Sequence, residues 1–259
     1  LIITLGLAKA KQKPLDPLGP ALYNSVNNKW DFMVLSLCKT GLTRHSVFGY
    51  SCSRCLTCCR FKTIQLNPYE IARLACNRAI STTEFITRFT TTGGTVLRSK
   101  PDGACVFLDA EGCSIHSDRP LVCRLYPLGR HVDFSCVEEF SQIESEAGCR
   151  GIFHENGTVE QYLEEQGAVP FMRAADHYLD LLRNLMEKLK EQTFEPSQCE
   201  AVFDVIRDVS ENFAGDHDLS WIDMDRALKD FCRSSGLPVP ESLEDKMAMH
   251  IKAVRSWTA

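Results

Sequence analysis

Four cysteines crowded into C-S-R-C-L-T-C-C at 52–59 constrain this chain more than any other feature. Cys52, Cys55 and Cys58 repeat every three residues, as in the run with which bacterial ferredoxins begin to clasp a cubane, but the fourth position of that run, residue 62, is Lys. Cys59 instead follows Cys58 directly. Adjacent residues chelate one tetrahedral ion poorly, because successive side chains diverge by about 100° on a helix and about 180° on a strand. Cys58 and Cys59 therefore face different things: one completes the site begun by Cys52 and Cys55, and the other serves a second site, a surrounding shell or a redox partner. The remaining ligands must arrive from far along the chain, where Cys105, Cys113, Cys123 and Cys149 are available.

The chain carries 13 cysteines, an odd number that a fully paired disulfide framework would not use up. Metal or redox chemistry is the reading that follows. The N-terminal LIITLGLAKAKQK is apolar and holds an A-K-A, but no basic residues precede the apolar run as a secretion signal requires. A cytoplasmic location is expected, and without a run of about 18 apolar residues no membrane span. With 259 residues, 44% hydrophobic and 24% charged, the chain can bury a sizeable core. Its net charge of −5, with both signs interspersed, argues against nucleic acid as a partner; a protein substrate or redox partner fits better.

The predicted fold class is α+β, predominantly α, with short strands in a cysteine-rich module and a helical C-terminal region. Residues 1–49, with a Pro-rich lead-in and an apolar stretch from Trp30 to Leu37, read as an N-terminal arm or helix packing on the core. N-P-Y-E at 67–70 and S-T-T-E at 81–84 are helix starts of the capping-box type, the first predicting a helix over 68–78 and the second a helix ended by Gly93-Gly94. The pieces TVLRS, ACVFL, CSIH and LGRHVDF between 95 and 134 read as short strands. S-D-R-P-L-V-C-R-L-Y-P at 117–127 reads as a helical turn or two, capped by Ser117 or Asp118 and stopped at Pro127. Helices are predicted over 158–166, 171–192, 198–213, 220–234 and 241–257. The domain reading is an arm at 1–49, a metal-binding module at 50–157 and a helical region at 158–259.

Charge supports a thiolate site. Four thiolates on zinc leave about −2, and a four-thiolate cubane a similar or larger charge, which a partly buried site must offset. Arg54, Arg60, Arg119, Arg124 and Arg150 each lie within four residues of a candidate cysteine and are read as counter-charges. Cys38, Cys76, Cys199 and Cys232 sit in apolar or helical settings and read as buried small hydrophobes. Among the histidines, His116 and His131 fall nearest the cysteine region, and thiolates so numerous leave little call for either as a ligand. No G-x-G-x-x-G, Walker loop, G-x-S-x-G or H-E-x-x-H is present.

Together, Cys52-x-x-Cys55-x-x-Cys58-Cys59, C-V-F-L at 105–108, G-C-S-I-H at 112–116, R-P-L-V-C-R-L-Y-P at 119–127 and C-R-G at 149–151 resemble the YkgJ-type cysteine-cluster family of zinc- or iron-chelating domains. The resemblance covers about residues 50–157. It implies a metal module with ligands Cys52, Cys55, Cys58, Cys59, Cys105, Cys113, Cys123 and Cys149. The module is also similar to the cysteine-rich part of flagellin lysine N-methylases, which implies an iron–sulfur cluster, [4Fe-4S], and keeps an oxidoreductase or protein-modifying enzyme in view. The alternative is structural zinc in an interaction platform. His116 stands where the family often has Tyr, and Cys136 is an extra cysteine between Cys123 and Cys149 that competes as a ligand.

Overall fold

The computed structural model describes residues 37–91, 94–133, 136–193 and 221–257. Helix α1, Pro68–Asn77, starts where N-P-Y-E predicts: the Asn67 side chain accepts from the Glu70 N–H while the Glu70 carboxylate accepts from the Asn67 N–H, satisfying two donors a helix start would leave orphaned. Helix α2, Thr82–Phe89, is capped by Ser81 and ends at Thr90, short of the glycines. The Thr90 hydroxyl, fully buried, turns back onto the Ile86 carbonyl and occupies the last turn.

Three small sheets follow. Strands β1 (Leu37–Leu42), β6 (Glu138–Ile143) and β5 (Leu128–Val132) form an antiparallel sheet in that order, β2 (Val47–Ser51) pairs with β7 (Ile152–Thr158), and β3 (Leu108–Asp109) and β4 (Gly112–Cys113) make a two-residue-a-side hairpin. In the hairpin turn the Asp109 carboxylate accepts from the Glu111 N–H, the local bond that makes Asp a turn former. Helix α3, Leu121–Leu125, is a single turn preceded by Pro120, while Ser117 and Asp118 lie in a separate 3₁₀ turn, His116–Asp118. The C-terminal part is α4 (Val159–Glu165), α5 (Val169–Thr193), α6 (Met224–Ser235) and α7 (Leu243–Ser256). Thr158 caps α4 with a second full capping box.

Apolar residues segregate into three clusters. The first gathers Ile71 and Leu74 of α1 with Phe85 of α2, Phe107 and Ile115, and the thiols Cys105 and Cys113 pack on its edge. The second joins Tyr69 and Ala72, on the other side of α1, to Phe171, Ala174 and Tyr178 of α5, Leu228 of α6 and Ile251 of α7. The third lies between β2, β5, β6 and α4, around Phe48, Leu128, Phe140 and Leu163. Thus α1 is the shared wall between cysteine-bearing and helical halves.

The fold is mixed α+β. Several expectations change. Within the predicted arm, the described residues 37–49 contribute β1 and most of β2, both integrated into sheets. TVLRS yields only isolated bridges, Gln65 to Val96, Thr90 to Leu97 and Ser99 to Cys105. Strands β6 and β7 were not predicted: E-E-F-S-Q-I and I-F-H-E-N-G-T are polar, and much of β7 is exposed. The predicted helix over 198–213 and most of residues 30–37 lie outside the described residues. Among the described residues no helix is long and apolar enough to cross a membrane.

Candidate metal centre

Strand β2 delivers the chain to Cys52, and β7, its partner, begins just after Cys149, so pairing Ser51 with Ile152 brings together thiols far apart in sequence. The sulfurs of Cys55 and Cys149 stand 3.8 Å apart. Cys58 and Cys59 lie in a 3₁₀ turn, Thr57–Cys59, preceded by Leu56 in the left-handed region. The Cys105 N–H donates to the Cys59 carbonyl at 2.9 Å, drawing in the next segment; the β3–β4 hairpin adds Cys113, and α3 adds Cys123. The result is one cavity of about 490 Å³ lined by Cys52, Cys55, Cys58, Cys59, Cys105, Cys113, Cys123 and Cys149. No disulfide links the described cysteines.

The thiols differ in surroundings. The Cys55 sulfur accepts from the Thr57 hydroxyl and the Arg150 N–H, which hold its pKa down at about 6. The Cys149 sulfur takes the Gly151 N–H and meets the Tyr50 hydroxyl at 3.2 Å. Cys58 is pushed well above the ordinary thiol range, first by its contact with Cys59 and then by desolvation. Desolvation also raises Cys105, Cys113 and Cys123. Cys123 presents accessible area yet lies deep in the protein; its open side is the cavity itself, and the surrounding protein still disfavours its charge. His116 lines the same space and is held neutral by desolvation and by Arg119, Arg54 and Arg124.

The arginines divide. Arg54 and Arg119 line the cavity, and Arg119 lies near enough to Cys113 to favour its thiolate. Arg60 instead pairs with Asp102 on the surface. Arg124, 6% exposed, donates to the carbonyls of Ser117, Arg119 and Gln166 and lies over the Phe171 ring at 4.0 Å. Its guanidinium is a clamp on three pieces of backbone, and the cost of burial lowers its pKa to about 10.

Four other partners went unread in the sequence: Tyr50, Thr57, Lys62 and Glu146. Lys62, at the position where a ferredoxin would have its fourth cysteine, pairs with Glu146 and ties the Cys58–Cys59 segment to the Cys149 loop. Thr57 carried a signal, since it sits two residues from Cys55 in a turn. Lys62 and Glu146, 84 positions apart, carried none. Cys136 is outside the cavity, where its sulfur accepts from Arg183, so it does not compete as a ligand in this arrangement. Cys38 and Cys76 are exposed, against expectation: α1 turns Cys76 away from both cores that it separates. Cys232 is buried as expected, and Cys199 lies outside the described residues. His131 bonds Ser141 across β5 and β6, away from the cavity.

Eight free thiols with neighbouring guanidinium groups suit a soft metal or a thiolate-bound cluster. Among the described residues, however, no three His, Cys, Asp or Glu side chains converge tightly enough to hold a single ion. The thiols are spread as a shell around a space. Residues 51–149 match the model of the CxxCxxCC family, described as "Putative zinc- or iron-chelating domain". No curated protein and no solved structure matches the chain.

Proposed function

We propose, taking residues 51–149 as a CxxCxxCC-family zinc- or iron-chelating domain, that the cavity holds an iron–sulfur cluster of the [4Fe-4S] type on cysteine thiolates. The observation that carries this reading is the shell itself: eight thiols around about 490 Å³, with none of their trios closed on an ion-sized point. A polynuclear core with its own sulfides fills such a space and reaches thiolates that a lone ion would have to draw inward. Bound there, the cluster would supply one-electron chemistry or a rigid cross-link. Cys52, Cys55, Cys58 or Cys59, and at least one of the four later cysteines would hold it, with Arg54 and Arg119 beside it to offset charge. A redox role, or a part in protein modification, follows from the likeness to cysteine-rich methylase modules.

Structural zinc is the second reading, and one distance favours it. Two thiolates on a tetrahedral zinc with bonds of about 2.3 Å stand about 3.8 Å apart, the separation of the Cys55 and Cys149 sulfurs. Purification without oxygen, followed by iron, zinc and acid-labile sulfide analysis, decides between them. Iron and sulfide in similar amounts with visible absorbance are expected; a colourless protein carrying zinc alone overturns the cluster.

A further inference from the structure

Eight thiols are twice what one four-coordinate centre uses, and they are not spread evenly. Cys52 and Cys55 follow β2, and Cys149 precedes β7. Their sulfurs take hydrogen bonds from protein donors: the Arg54 N–H to Cys52, the Arg150 N–H and Thr57 hydroxyl to Cys55, the Gly151 N–H to Cys149. Tyrosines wall this part of the cavity, Tyr50 lying within electrostatic reach of Cys149 and Cys52, Tyr126 of Cys149, and Tyr162 of Cys52.

Cys105, Cys113 and Cys123 hang from other elements, the approach to the β3–β4 hairpin, the hairpin itself and α3. Cys105 and Cys113 pack on the α1–α2 core, as does Val122 next to Cys123, and Cys123 is within electrostatic reach of both thiols. Cys105 and Cys113 also take backbone N–H groups, from Phe107 and Ile115, so the two halves differ in their walls: apolar core on this side, tyrosine on the other. Between the halves stands the tandem pair. Cys58 reaches Cys55 on one side and Cys113 and Cys123 on the other, while the Cys59 carbonyl is bonded to the Cys105 N–H.

We infer that the cavity is divided into two four-thiolate metal centres, one on Cys52, Cys55 and Cys149, the other on Cys105, Cys113 and Cys123, with Cys58 and Cys59 giving one ligand to each. This rests on the cavity being a metal seat, but not on which metal fills it. It also gives the adjacency of Cys58 and Cys59 a purpose: their side chains touch at the junction of the two halves, and each has a different centre within reach.

The test is metal content and sulfide per folded chain for the anaerobic wild type, Cys149→Ser and Cys123→Ser, with circular dichroism reporting the fold. Each variant should lose about half of the wild-type metal, and the two remaining halves should differ in absorption spectrum. Either variant emptying the protein completely would overturn the division. Because a variant can fail by unfolding, the metal-stripped full-length wild type is also titrated with Co²⁺, whose thiolate complexes absorb visibly. A break at two equivalents is expected, and a break at one overturns the proposal. Zinc at two equivalents without iron would refute the iron–sulfur reading and leave two centres standing. One cubane per chain would do the reverse, and a chain that binds neither iron, zinc nor Co²⁺ refutes both.

Discussion

Replacing Arg124 by Met separates two roles for this side chain, a counter-charge to the thiolates and a structural clamp. Its guanidinium donates to the carbonyls of Arg119 (2.9 Å), Gln166 (2.7 Å) and Ser117, so it joins the 3₁₀ turn before α3 to the α4–α5 connection. A hydrogen bond to a charged group is worth about 1.5–3 kcal/mol. Three of them sum to roughly 4.5–9 kcal/mol, and each carbonyl keeps a second lone pair while Met retains packing on Phe171, so the low end, about 4.5 kcal/mol, is the expected loss. Against a total stability of about 5–15 kcal/mol that is severe, and it corresponds to a fall in melting temperature of about 10 °C for a chain of this size. Arg124→Lys keeps the charge but not the fork and should lose about half as much. The assay is urea denaturation of the metal-loaded protein together with metal content per folded molecule. If Arg124→Met costs under about 1 kcal/mol while metal content falls and Arg124→Lys restores it, the clamp argument is wrong and the charge argument right.

His250 is fully buried on α7, its Nδ1 2.9 Å from the Tyr178 hydroxyl of α5, with the carboxylate of Asp223 acting on it from the start of α6. Burial lowers its pKa to about 4, and the nearby Asp223 only partly offsets this. The unfolded chain, with a histidine pKa of about 6.5, therefore binds the proton first, so stability is intact above pH 6.5 and lost as pH falls toward 4, by about 2 kcal/mol at pH 5. Urea midpoints between pH 7 and 5 should fall more steeply for wild type than for His250→Asn; equal slopes would exclude the histidine as the cause. Gly151 has no room for a side chain, because a Cβ there overlaps the Tyr50 ring. Gly151→Ala should push Tyr50 off Cys149, destabilise by about 1–3 kcal/mol and speed release of metal to a chelator, and an unchanged release rate would show that this contact is idle. Stripping the metal should strip hydrogen-exchange protection from residues 52–62 and 146–151 while α5, α6 and α7 keep theirs, and uniform loss of protection would mean that the metal holds the whole fold.

What could be read from the sequence was what is local. N-P-Y-E and S-T-T-E place α1 and α2 because a cap is completed within four residues, reciprocally by Asn67 and Glu70 in the first and by the Ser81 side chain alone in the second. The amphipathic stripe of α5 is likewise periodic in sequence, and Tyr178 and Leu181 face the core as predicted. Strands β6 and β7 escaped because strands with a solvated face carry polar residues, and only the distant partners β1 and β5 of the central strand β6, and β2 of β7, make them strands. Thiol chemistry showed in the cysteine types and spacing. Direction did not: Arg119 and Arg124 look equivalent beside Cys123, but the turn of α3 sends one to the cavity and the other to Phe171. The exposed Cys38 and Cys76 make the same point, since an apolar neighbourhood in sequence says nothing about the face on which a residue lands.

The topology gives a reason for the division of labour between cysteines and helices. Cys55 and Cys149 are 94 positions apart and touch, which on its own demands the closure of a long loop. Pairing of β2 with β7 closes most of that loop through backbone hydrogen bonds, and the Lys62–Glu146 ion pair narrows it further. On the other side, Glu70 serves twice: one carboxylate oxygen caps α1 through the Asn67 N–H, and the other accepts from the Leu121 N–H at 2.7 Å, two residues before Cys123. A helix packed on the C-terminal core thereby fixes the start of the turn that carries a thiol. The backbone around the cavity is thus held by strands, caps and ion pairs, and what is left for a metal to order is the two short thiol-bearing segments, 52–62 and 146–151, that join these elements.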